Sequence, residues 1–350
     1  MEKAELIREA IQKVVAGGSL GEEEAGSVMG LVMDGEASPA QIAALLIAMR
    51  LKGETVDEIT GFARAMRKRA APVHTAHGTV VDTCGTGGDG VNTFNISTAA
   101  ALVTAGCGVP VAKHGNRSVS SQCGSADVLE ALGVNINLTP EETGECLNGI
   151  GLAFLYAPSL HGAMKHAAGP RREIGVRTVF NLLGPLTNPA GATAQVVGVF
   201  SSDLVPKIAG VLARLGSARA FVLHGAGGAD EITPCGPAWI GEVSGGSVIS
   251  YKLDPAEFGI KRCGTESLRG GSPAENAAII KAILAGEPGP RRDAVILNAA
   301  MALVAAGSAP DPARGLEKAC KSIDSGEAGR KLSQLVEFTS SRSPRKAARS

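Results

Sequence analysis

The chain has 350 residues, with 34 Lys plus Arg and 34 Asp plus Glu, so its formal net charge at pH 7 is zero. This length exceeds that of one ordinary domain, and the balanced charge argues against a nucleic-acid partner or an anionic membrane surface. Apolar residues make up 44% of the chain but aromatic residues only 3%, which predicts an aliphatic core and disfavours base-stacking platforms.

The seven cysteines are spaced irregularly and form no Cys-x-x-Cys pair, so they predict neither a disulfide framework nor a structural zinc site. A reducing compartment fits such cysteines best. The N-terminus has mixed charges and helical periodicity instead of the basic and then apolar order of a secretory signal, and no run of eighteen apolar residues occurs. We therefore expect a cytoplasmic protein without a membrane partner.

The residue pattern in the first part of the chain predicts helices only. Apolar residues recur at helical spacing from Leu6 to Val15, and the pattern stops at Gly17. Three further helix starts carry the capping-box pattern, in which a Ser or Thr is followed three residues later by Glu or Gln, at Ser19–Glu22, Ser38–Gln41 and Thr55–Glu58. We expect a small helical domain over residues 1–74.

A different pattern begins near residue 79, where short β-branched runs alternate with longer helical patterns. This alternation predicts βαβ units around a mainly parallel sheet, with candidate strands at 79–83, 109–113, 152–156, 195–200 and 219–224. Helices are predicted at about 95–106, 125–132, 140–149 and 203–215, and from near 273, 291, 313 and 327, with a hairpin at 238–252. The fold class is thus α/β, with a large α/β domain over 75–339 and a disordered tail over 340–350.

A glycine-rich loop is the strongest local signal. It reads GTGGDG from Gly85 to Gly90, directly after the first candidate strand, and VNTFNIST follows it at the start of a helix. The G-x-G-x-x-G pattern would indicate a dinucleotide fold, but the next strand ends in Lys113 and His114 instead of an acidic residue, and the Gly-Lys-Ser/Thr ending of a P-loop is missing. Backbone amides and hydroxyls here favour a phosphate-rich ligand. The alternative is a tight turn with ordinary helix caps.

Two later segments, the block after the next strand and the Asp230–Glu231 pair, are expected to lie beside this loop, because the carboxyl ends of parallel strands share one edge of a sheet. The block KHGNRSVSS follows the next strand and supplies cations, amides and hydroxyls. A cation-rich stretch from Arg171 to Arg177 could hold a carboxylate, and the adjacent carboxylates of Asp230 and Glu231 could share Mg²⁺. Away from a shared edge, each segment would be a solvated turn or a set of surface ion pairs.

Together, the motifs GTGGDGxxTFNIST, KHGNRxxSSxxGSADVLEALG and RREIGVRTVFNLLGPLTNP, with the later Asp-Glu pair, closely resemble those of the anthranilate phosphoribosyltransferases of tryptophan biosynthesis. The resemblance extends over nearly the whole chain, and the motifs occur in the family's order. It implies a nucleoside phosphorylase-like phosphoribosyltransferase fold. In that fold a helical domain, with part of 165–190 packed on it, mediates homodimerisation beside a larger α/β domain.

The resemblance also implies roles for individual residues. The residues that match the family's contacts with phosphoribosyl pyrophosphate and anthranilate are Gly85, Gly88, Asp89, Thr93, Asn95, Ile96, Ser97, Thr98, Lys113, His114, Gly115, Asn116, Arg117, Ser118, Val119, Ser120, Ser121, Ser125 and Arg171. Of these, Asn116 and Arg171 match contacts with anthranilate. One departure is His161-Gly-Ala-Met, where the family usually has His-Pro-Ala-Met.

The implied reaction is substitution at C1 of the ribose, in which the amine of anthranilate attacks and pyrophosphate leaves with inversion. Negative charge then grows on the leaving group, so backbone donors and Mg²⁺, implied as two ions at Ser97, Asp230 and Glu231, would supply most of the catalysis. No residue is assigned as a general acid or base, because the amine of anthranilate has a free lone pair near neutral pH. His114 is expected to line the substrate site.

Two other functions stay open from the sequence. A pyrimidine nucleoside phosphorylase shares this architecture but would have a monophosphate pocket in place of the pyrophosphate and metal site. The Asp230–Glu231 pair argues against it, and a requirement for Mg²⁺ would separate the two. A non-catalytic relative that binds nucleic acid is disfavoured by the balanced charge and by the intact set of motifs.

Overall fold

The N-terminal part of the chain is a bundle of four helices. The computed structural model describes residues 3–118 and 122–342. The bundle contains α1 (Lys3–Val15), α2 (Glu22–Met33), α3 (Pro39–Lys52) and α4 (Val56–Arg67). Helices α2 and α4 approach each other closely at Gly61, where an added Cβ would lie 2.1 Å from the backbone oxygen of Glu22.

Capping interactions define where the bundle helices begin. The capping boxes predicted at Ser38–Gln41 and Thr55–Glu58 are confirmed, since in each the side chains of both residues bond the other residue's backbone N–H. The box predicted at Ser19–Glu22 is wrong. Gly21 is the cap residue of α2, and its backbone N–H donates to the Glu24 carboxylate at 3.2 Å. Because glycine has no side chain, the only capping-box bond at this helix start is the one to the glutamate side chain.

A seven-stranded sheet forms the centre of the second part. Its strands are β1 (Val81–Gly85), β2 (Val111–Gly115), β3 (Leu152–Tyr156), β4 (Ala194–Gly198), β5 (Arg219–His224), β6 (Ala238–Ser244) and β7 (Ser247–Leu253). Their order across the sheet is β3-β2-β1-β4-β5-β6-β7. The first five pair in parallel, and β6 and β7 add the predicted hairpin as an antiparallel edge. The carboxyl ends of the parallel strands therefore meet at one edge.

Helices connect the strands and cover the sheet. They are α5 (Ile96–Gly106), α6 (Ser125–Ala131), α7 (Pro140–Ile150), α8 (Ala157–Leu160), α9 (Lys165–Ile174), α10 (Phe180–Leu183), α11 (Leu204–Arg214), α12 (Pro273–Leu284), α13 (Pro290–Ala305), α14 (Pro312–Asp324) and α15 (Glu327–Ser340). The α/β class with a small helical domain is confirmed. Among the described residues, no helix is both long enough and apolar enough to cross a membrane.

Two apolar layers lie on opposite faces of the sheet. Val196 and Phe221 face the layer formed by α5, α6 and α12 to α15, whereas their neighbours Val197 and Val222 face the other layer. That second layer continues through α11 and the short helices α9 and α10 into the core of the bundle. Helix α9 itself packs against α3 and α2. The bundle and the sheet thus share one core on this face.

The C-terminal helix extends into the segment predicted as a tail. Helix α15 ends at Ser340, and Arg342 beyond it bonds the Glu145 carboxylate at 2.8 Å and stacks over the Phe338 ring at 4.9 Å. The prediction of a disordered tail over 340–350 is therefore wrong for residues 340–342, because each of them has a hydrogen-bond partner in the folded chain. Residues 343–350 lie outside the described part of the chain.

Candidate active site

The acidic segment at Asp230 lies against the carboxyl ends of the central strands. A Cβ added to Gly85 would lie 2.4 Å from Asp230 Oδ2, and one added to Gly198 would lie 1.6 Å from the Asp230 backbone oxygen. A larger residue at either position would displace this segment. Because Gly85 of β1 pairs with Gly198 of β4, the sheet register itself brings the glycine loop and the acidic segment together.

Three carboxylates form the centre of the site. Carboxylate oxygens of Asp89, Asp230 and Glu231 all lie within 4.8 Å of one another. Burial, and then the Asp89 charge, raise the pKa of Asp230 to about 6, while burial and the Asp230 charge raise the pKa of Glu231 well above its usual range. Such a cluster has the oxygen ligands and the charge to hold a hard divalent cation. The sequence interpretation assigned Asp230 and Glu231 to a metal but placed Asp89 only with the substrate contacts.

Hydrogen bonds tie the glycine loop to these carboxylates. The backbone N–H of Gly87 donates to Asp230 Oδ2 at 2.9 Å. The Thr93 hydroxyl donates to Glu231 Oε2 at 3.3 Å, and the backbone N–H of Ser97 donates to Glu231 Oε1 at 3.4 Å. The structure therefore brings together the residues at which the sequence predicted a metal, which are Ser97, Asp230 and Glu231.

The start of helix α5 presents polar groups beside the loop. Ile96 is fully buried and anchors this turn in the core. The Thr98 hydroxyl is also buried, and no other described residue bonds it. Buried hydroxyls normally have a partner. At the N-terminus of a helix, where the dipole favours negative charge, an oxygen of an anionic ligand is a suitable one.

Lys113 reaches the loop from the neighbouring strand β2. Its side chain is buried, and its ammonium donates to the Thr83 backbone oxygen and, at 3.4 Å, to Ser97 Oγ. Burial lowers the pKa of Lys113, while the negative charges of Asp82 and Glu231 oppose this shift. The site thus combines a buried cation with a cluster of anions, and both lie next to Ser97.

His114 of β2 and His161 form a buried pair, with ring centroids 5.0 Å apart. His114 Nδ1 is 3.1 Å from the Gly184 backbone oxygen, and the Nε2 atoms of both rings are buried without a partner among the described residues. Burial lowers the pKa of His114 to about 3 and that of His161 to about 4, so both rings are neutral at pH 7. Since a carbonyl oxygen only accepts, His114 Nδ1 carries the hydrogen and its Nε2 is an open acceptor.

The loop after β2 is held by short-range packing. The Ser125 hydroxyl donates to the Asn116 backbone oxygen at 3.2 Å. A Cβ added to Gly115 would lie 2.2 Å from Ser125 Oγ, so only glycine fits there. These three predicted site residues therefore lie together at the end of β2. Three others from the same block lie outside the described residues, namely Val119, Ser120 and Ser121.

Arg117 is engaged by carboxylates of its own loop and helix. Its guanidinium pairs with Asp127 at 3.0 Å and Glu130 at 2.5 Å and lies over the Tyr156 ring. The backbone N–H of Ser118 donates to the same Asp127 carboxylate at 3.1 Å. A substrate anion at Arg117 would have to compete with these two carboxylates, which the sequence interpretation did not anticipate.

Arg171 lies on α9 with its guanidinium 4.9 Å from the centre of the Phe180 ring. Burial lowers the pKa of Arg171, and no carboxylate in the described part of the chain pairs with it. Phe180 begins α10, and Gly184, directly after this helix, binds His114. Arg171 and His114 therefore contact the same short segment. A largely buried guanidinium without an acidic partner is suited to the carboxylate of a ligand.

Two polar groups at this end of the site were not assigned from the sequence. They are His161 Nε2 and the Thr178 hydroxyl, both buried and without a partner among the described residues. Arg177, next to Thr178, donates to the Gly88 backbone oxygen and stacks 4.6 Å from the Phe200 ring. The family-like segment that begins at His161 is a signal for that residue, whereas nothing in the sequence distinguishes Thr178.

Comparison with known proteins identifies the family. The helical bundle domain of a glycosyl transferase family matches residues 8–70, and the a/b domain of that family matches residues 77–329. The anthranilate phosphoribosyltransferase of Pelotomaculum thermopropionicum is 65% identical over 334 residues, which cover 95% of this chain and 97% of the relative.

Solved structures agree with this match. The crystal structure of anthranilate phosphoribosyltransferase from Thermus thermophilus has a TM-score of 0.90 at 49% identity, and the match covers 95% of this chain and 99% of that one. The protein of the same name from Saccharomyces cerevisiae, solved in complex with PRPP and Mg, has a TM-score of 0.87 at 27% identity, with 96% and 98% covered. The chain therefore belongs to the anthranilate phosphoribosyltransferase family.

Proposed function

We infer that the chain transfers the phosphoribosyl group of 5-phosphoribosyl 1-pyrophosphate to the amine of anthranilate, with release of pyrophosphate, in tryptophan biosynthesis. The observation that carries this function is the meeting of the glycine loop, Lys113 and three carboxylates at one edge of the sheet. That chemistry suits a doubly phosphorylated sugar with a divalent cation, and the name of the 65% identical relative supports the same reaction.

The phosphates of the donor are proposed to lie along the glycine loop and the start of α5. Glycines without Cβ atoms let several backbone N–H groups approach the same oxyanion. The unpartnered Thr98 hydroxyl and the Lys113 ammonium add two donors beside the loop. The Lys113 charge would offset the negative charge that grows on pyrophosphate as the bond to C1 breaks.

We propose Mg²⁺ as the cofactor, in two ions, at Ser97, Asp230 and Glu231, with Asp89 beside them. The fit rests on the three clustered carboxylates, whose mutual repulsion a cation would relieve. When bound, Mg²⁺ supplies charge neutralisation for the pyrophosphate group. The chain's own contribution is to hold the oxygen ligands in place, and the loop amides and hydroxyls that bond Asp230 and Glu231 do this.

The carboxylate of anthranilate is proposed to bind Arg171, because this guanidinium has no acidic partner among the described residues. Asn116 and the wall formed by His114 and His161 would complete the pocket. With the carboxylate held there, the amine would face C1 of the ribose. Orienting the two reactants in this way is a major part of catalysis in a substitution between bound substrates.

The reaction needs no strong general base from the chain. His114, with a pKa of about 3, is a weak base at pH 7, but its open Nε2 can accept a hydrogen bond from the attacking amine. The loops that surround the site would exclude water, which otherwise competes with the amine for C1. Catalysis therefore rests on orientation and on stabilising the departing pyrophosphate.

We also propose that the chain forms a homodimer through the helical bundle. Leu51 at the end of α3 is 82% exposed, and Val15 at the end of α1 is 71% exposed. Helices α1 and α3 pack against each other. Large exposed apolar side chains on neighbouring helices support an interface there.

The cytoplasm is the proposed location. All seven cysteines are free thiols, and two of them, Cys235 and Cys263, lie with their sulfur atoms 3.7 Å apart without a disulfide. The irregular spacing of the seven cysteines, which predicts no disulfide framework, favours a reducing compartment.

A fluorescence assay tests the proposed reaction. Purified protein with anthranilate, phosphoribosyl pyrophosphate and Mg²⁺ should consume the fluorescence of anthranilate, and omission of the donor or chelation of Mg²⁺ should stop the reaction. A pyrimidine nucleoside phosphorylase would instead cleave uridine or thymidine with inorganic phosphate and would need no metal. Activity in that second assay alone would overturn the proposal.

A further inference from the structure

The donor-binding loop is supported on its far side by residues 268–276, which we call the brace. The backbone N–H of Phe94 donates to the Leu268 oxygen at 3.0 Å, and the N–H of Gly270 donates to the Asn92 oxygen at 2.9 Å. A Cβ added to Gly270 would lie 2.8 Å from Phe94 Cα, so the two backbones are in close contact. The brace thus pairs with the loop like a short strand.

The brace ends in a buried asparagine, Asn276, in the first turns of α12. Only 2% of Asn276 is exposed. Its Oδ1 accepts a hydrogen bond from the backbone N–H of Gly271 at 2.8 Å, and its Nδ2 donates to Asn95 Oδ1 at 2.9 Å. One side chain therefore joins the brace to the residue that directly precedes α5 in the donor-binding loop.

Asn95 in turn contacts the loop that follows β2. Its Nδ2 donates to the Cys123 backbone oxygen at 3.1 Å. If the Asn95 amide were turned over, its NH₂ group would face the NH₂ group of Asn276, and its oxygen would face the Cys123 oxygen. Both contacts would be repulsive, so the bond from Asn276 fixes the orientation of the Asn95 amide.

We propose that Asn276 is a positioning residue for the phosphoribosyl donor, acting through Asn95 to hold the glycine loop and the residue 122–124 segment in their binding arrangement. The inference rests on the proposed function, because it takes these two loops as the donor site. Asn276 is 181 residues from Asn95 in the chain and belongs to no motif of the donor site. Its effect should therefore fall on donor binding and leave the anthranilate pocket, at Arg171, largely unchanged.

The substitution Asn276→Asp tests this role with minimal change of shape. It keeps the oxygen that accepts from Gly271 but replaces the group that donates to Asn95. We expect the KM for phosphoribosyl pyrophosphate to rise at least about fivefold while the KM for anthranilate stays within about twofold. Asn135→Asp is the matched control, since Asn135 also accepts from a backbone N–H and donates to a backbone oxygen, but at the C-terminal helix. Its two KM values should not change.

A double-mutant cycle tests the route through Asn95. In an Asn95→Ala background, Asn276→Asp should have no further effect on the donor KM, because the group through which it acts is gone. Asn276→Ala provides a second variant, and circular dichroism at the assay temperature shows that each variant is folded. Equal rises in both KM values, unchanged KM values in a folded variant, or effects that multiply in the double mutant would overturn the proposal.

The same experiment separates this inference from the proposed function. If the unsubstituted protein does not convert anthranilate, the proposed function fails whatever the variants do. Isothermal titration with phosphoribosyl pyrophosphate and Mg²⁺ then decides the role of Asn276 by itself. A donor affinity at least about fivefold weaker in Asn276→Asp than in Asn135→Asp supports the role, and equal affinities refute it.

Discussion

Arg171 has a largely buried guanidinium whose charge no described carboxylate balances. Arg171→Ala should raise the KM for anthranilate at least about tenfold, because a charge-assisted hydrogen bond is worth about 1.5 to 3 kcal/mol. The KM for the donor should stay within about twofold. Steady-state kinetics with each substrate varied in turn gives both values. Arg172→Ala, an exposed neighbour, is the control, and equal rises in the two KM values would remove Arg171 from the anthranilate pocket.

Burial and the repulsion of neighbouring carboxylate charges raise the pKa of both Asp230 and Glu231. The double variant Asp230→Asn, Glu231→Gln should raise the Mg²⁺ concentration for half-maximal activity at least about tenfold, since it removes two charged ligands. Without metal, the variant should melt at a higher temperature than the parent because the repulsion is gone. Activity against Mg²⁺ concentration and thermal melts measure the two effects. An unchanged Mg²⁺ requirement would contradict the assignment, and exposed Glu257→Gln serves as control.

The buried histidines predict how stability depends on pH. The pKa is about 3 for His114 and about 4 for His161 in the folded chain, against an ordinary value of 6.5. Below pH 6.5 the unfolded chain binds protons that the folded chain does not, so stability falls as the pH drops. At pH 5 the expected loss is about 2 kcal/mol for each histidine.

Urea denaturation at pH 7 and pH 5 measures this loss. His161→Gln should lose less stability between the two pH values than the parent does, whereas a variant of exposed His74, His74→Gln, should lose as much. Equal losses in the parent and in His161→Gln would show that this ring is not held neutral by burial.

The acidic segment at Asp230 packs so closely against β4 that no side chain fits at Gly198. Gly198→Ala would place a Cβ 1.6 Å from the Asp230 backbone oxygen and must displace the segment. We expect loss of most activity and a destabilisation of about 1 to 3 kcal/mol from overpacking. Gly149→Ala in α7 is a matched control, because its Cβ would meet nothing within 4 Å. Wild-type activity in Gly198→Ala would show that the segment need not be held there.

The strands show which part of the fold the sequence pattern predicts. The candidate strand at 109–113 is observed as β2 over Val111–Gly115. Pro110 cannot donate to a ladder, so pairing begins after it, and parallel pairing with β3 continues through His114 and Gly115. The apolar pattern located the strand, but its last two residues, His114 and Gly115, do not continue that pattern. These are the positions that reach the site.

The site residues that lie in short sequence motifs could be predicted from the sequence. Gly85, Lys113 and Asp230 lie in three such motifs, and the parallel order of the strands brings them to one edge. The pairing of Arg117 with Glu130 and the bond from Asn276 to Asn95 depend on side-chain packing between distant or neighbouring elements. No spacing in the sequence encodes such contacts, so only the three-dimensional arrangement reveals them.

For the whole molecule, the proposed dimer depends on an apolar surface of the bundle. Leu51→Glu should shift the protein towards monomer, because a charge at an apolar interface must be desolvated without a partner. Light scattering after size exclusion, over a range of protein concentrations, measures the shift. Ile249→Glu on β7, another exposed apolar position, should leave the mass unchanged. A dimer that persists in Leu51→Glu would place the interface elsewhere.

The apolar layer shared by the bundle and one face of the sheet limits how the two parts can move. Val197 and Val222 belong to the same core cluster as Phe62 and Met49 of the bundle. Swinging the parts widely apart would expose that cluster to water, at about 25 cal/mol for each Å² of apolar area uncovered. Substrate capture should therefore use small shifts of the surrounding loops, and calorimetry should record one cooperative melting transition for the chain.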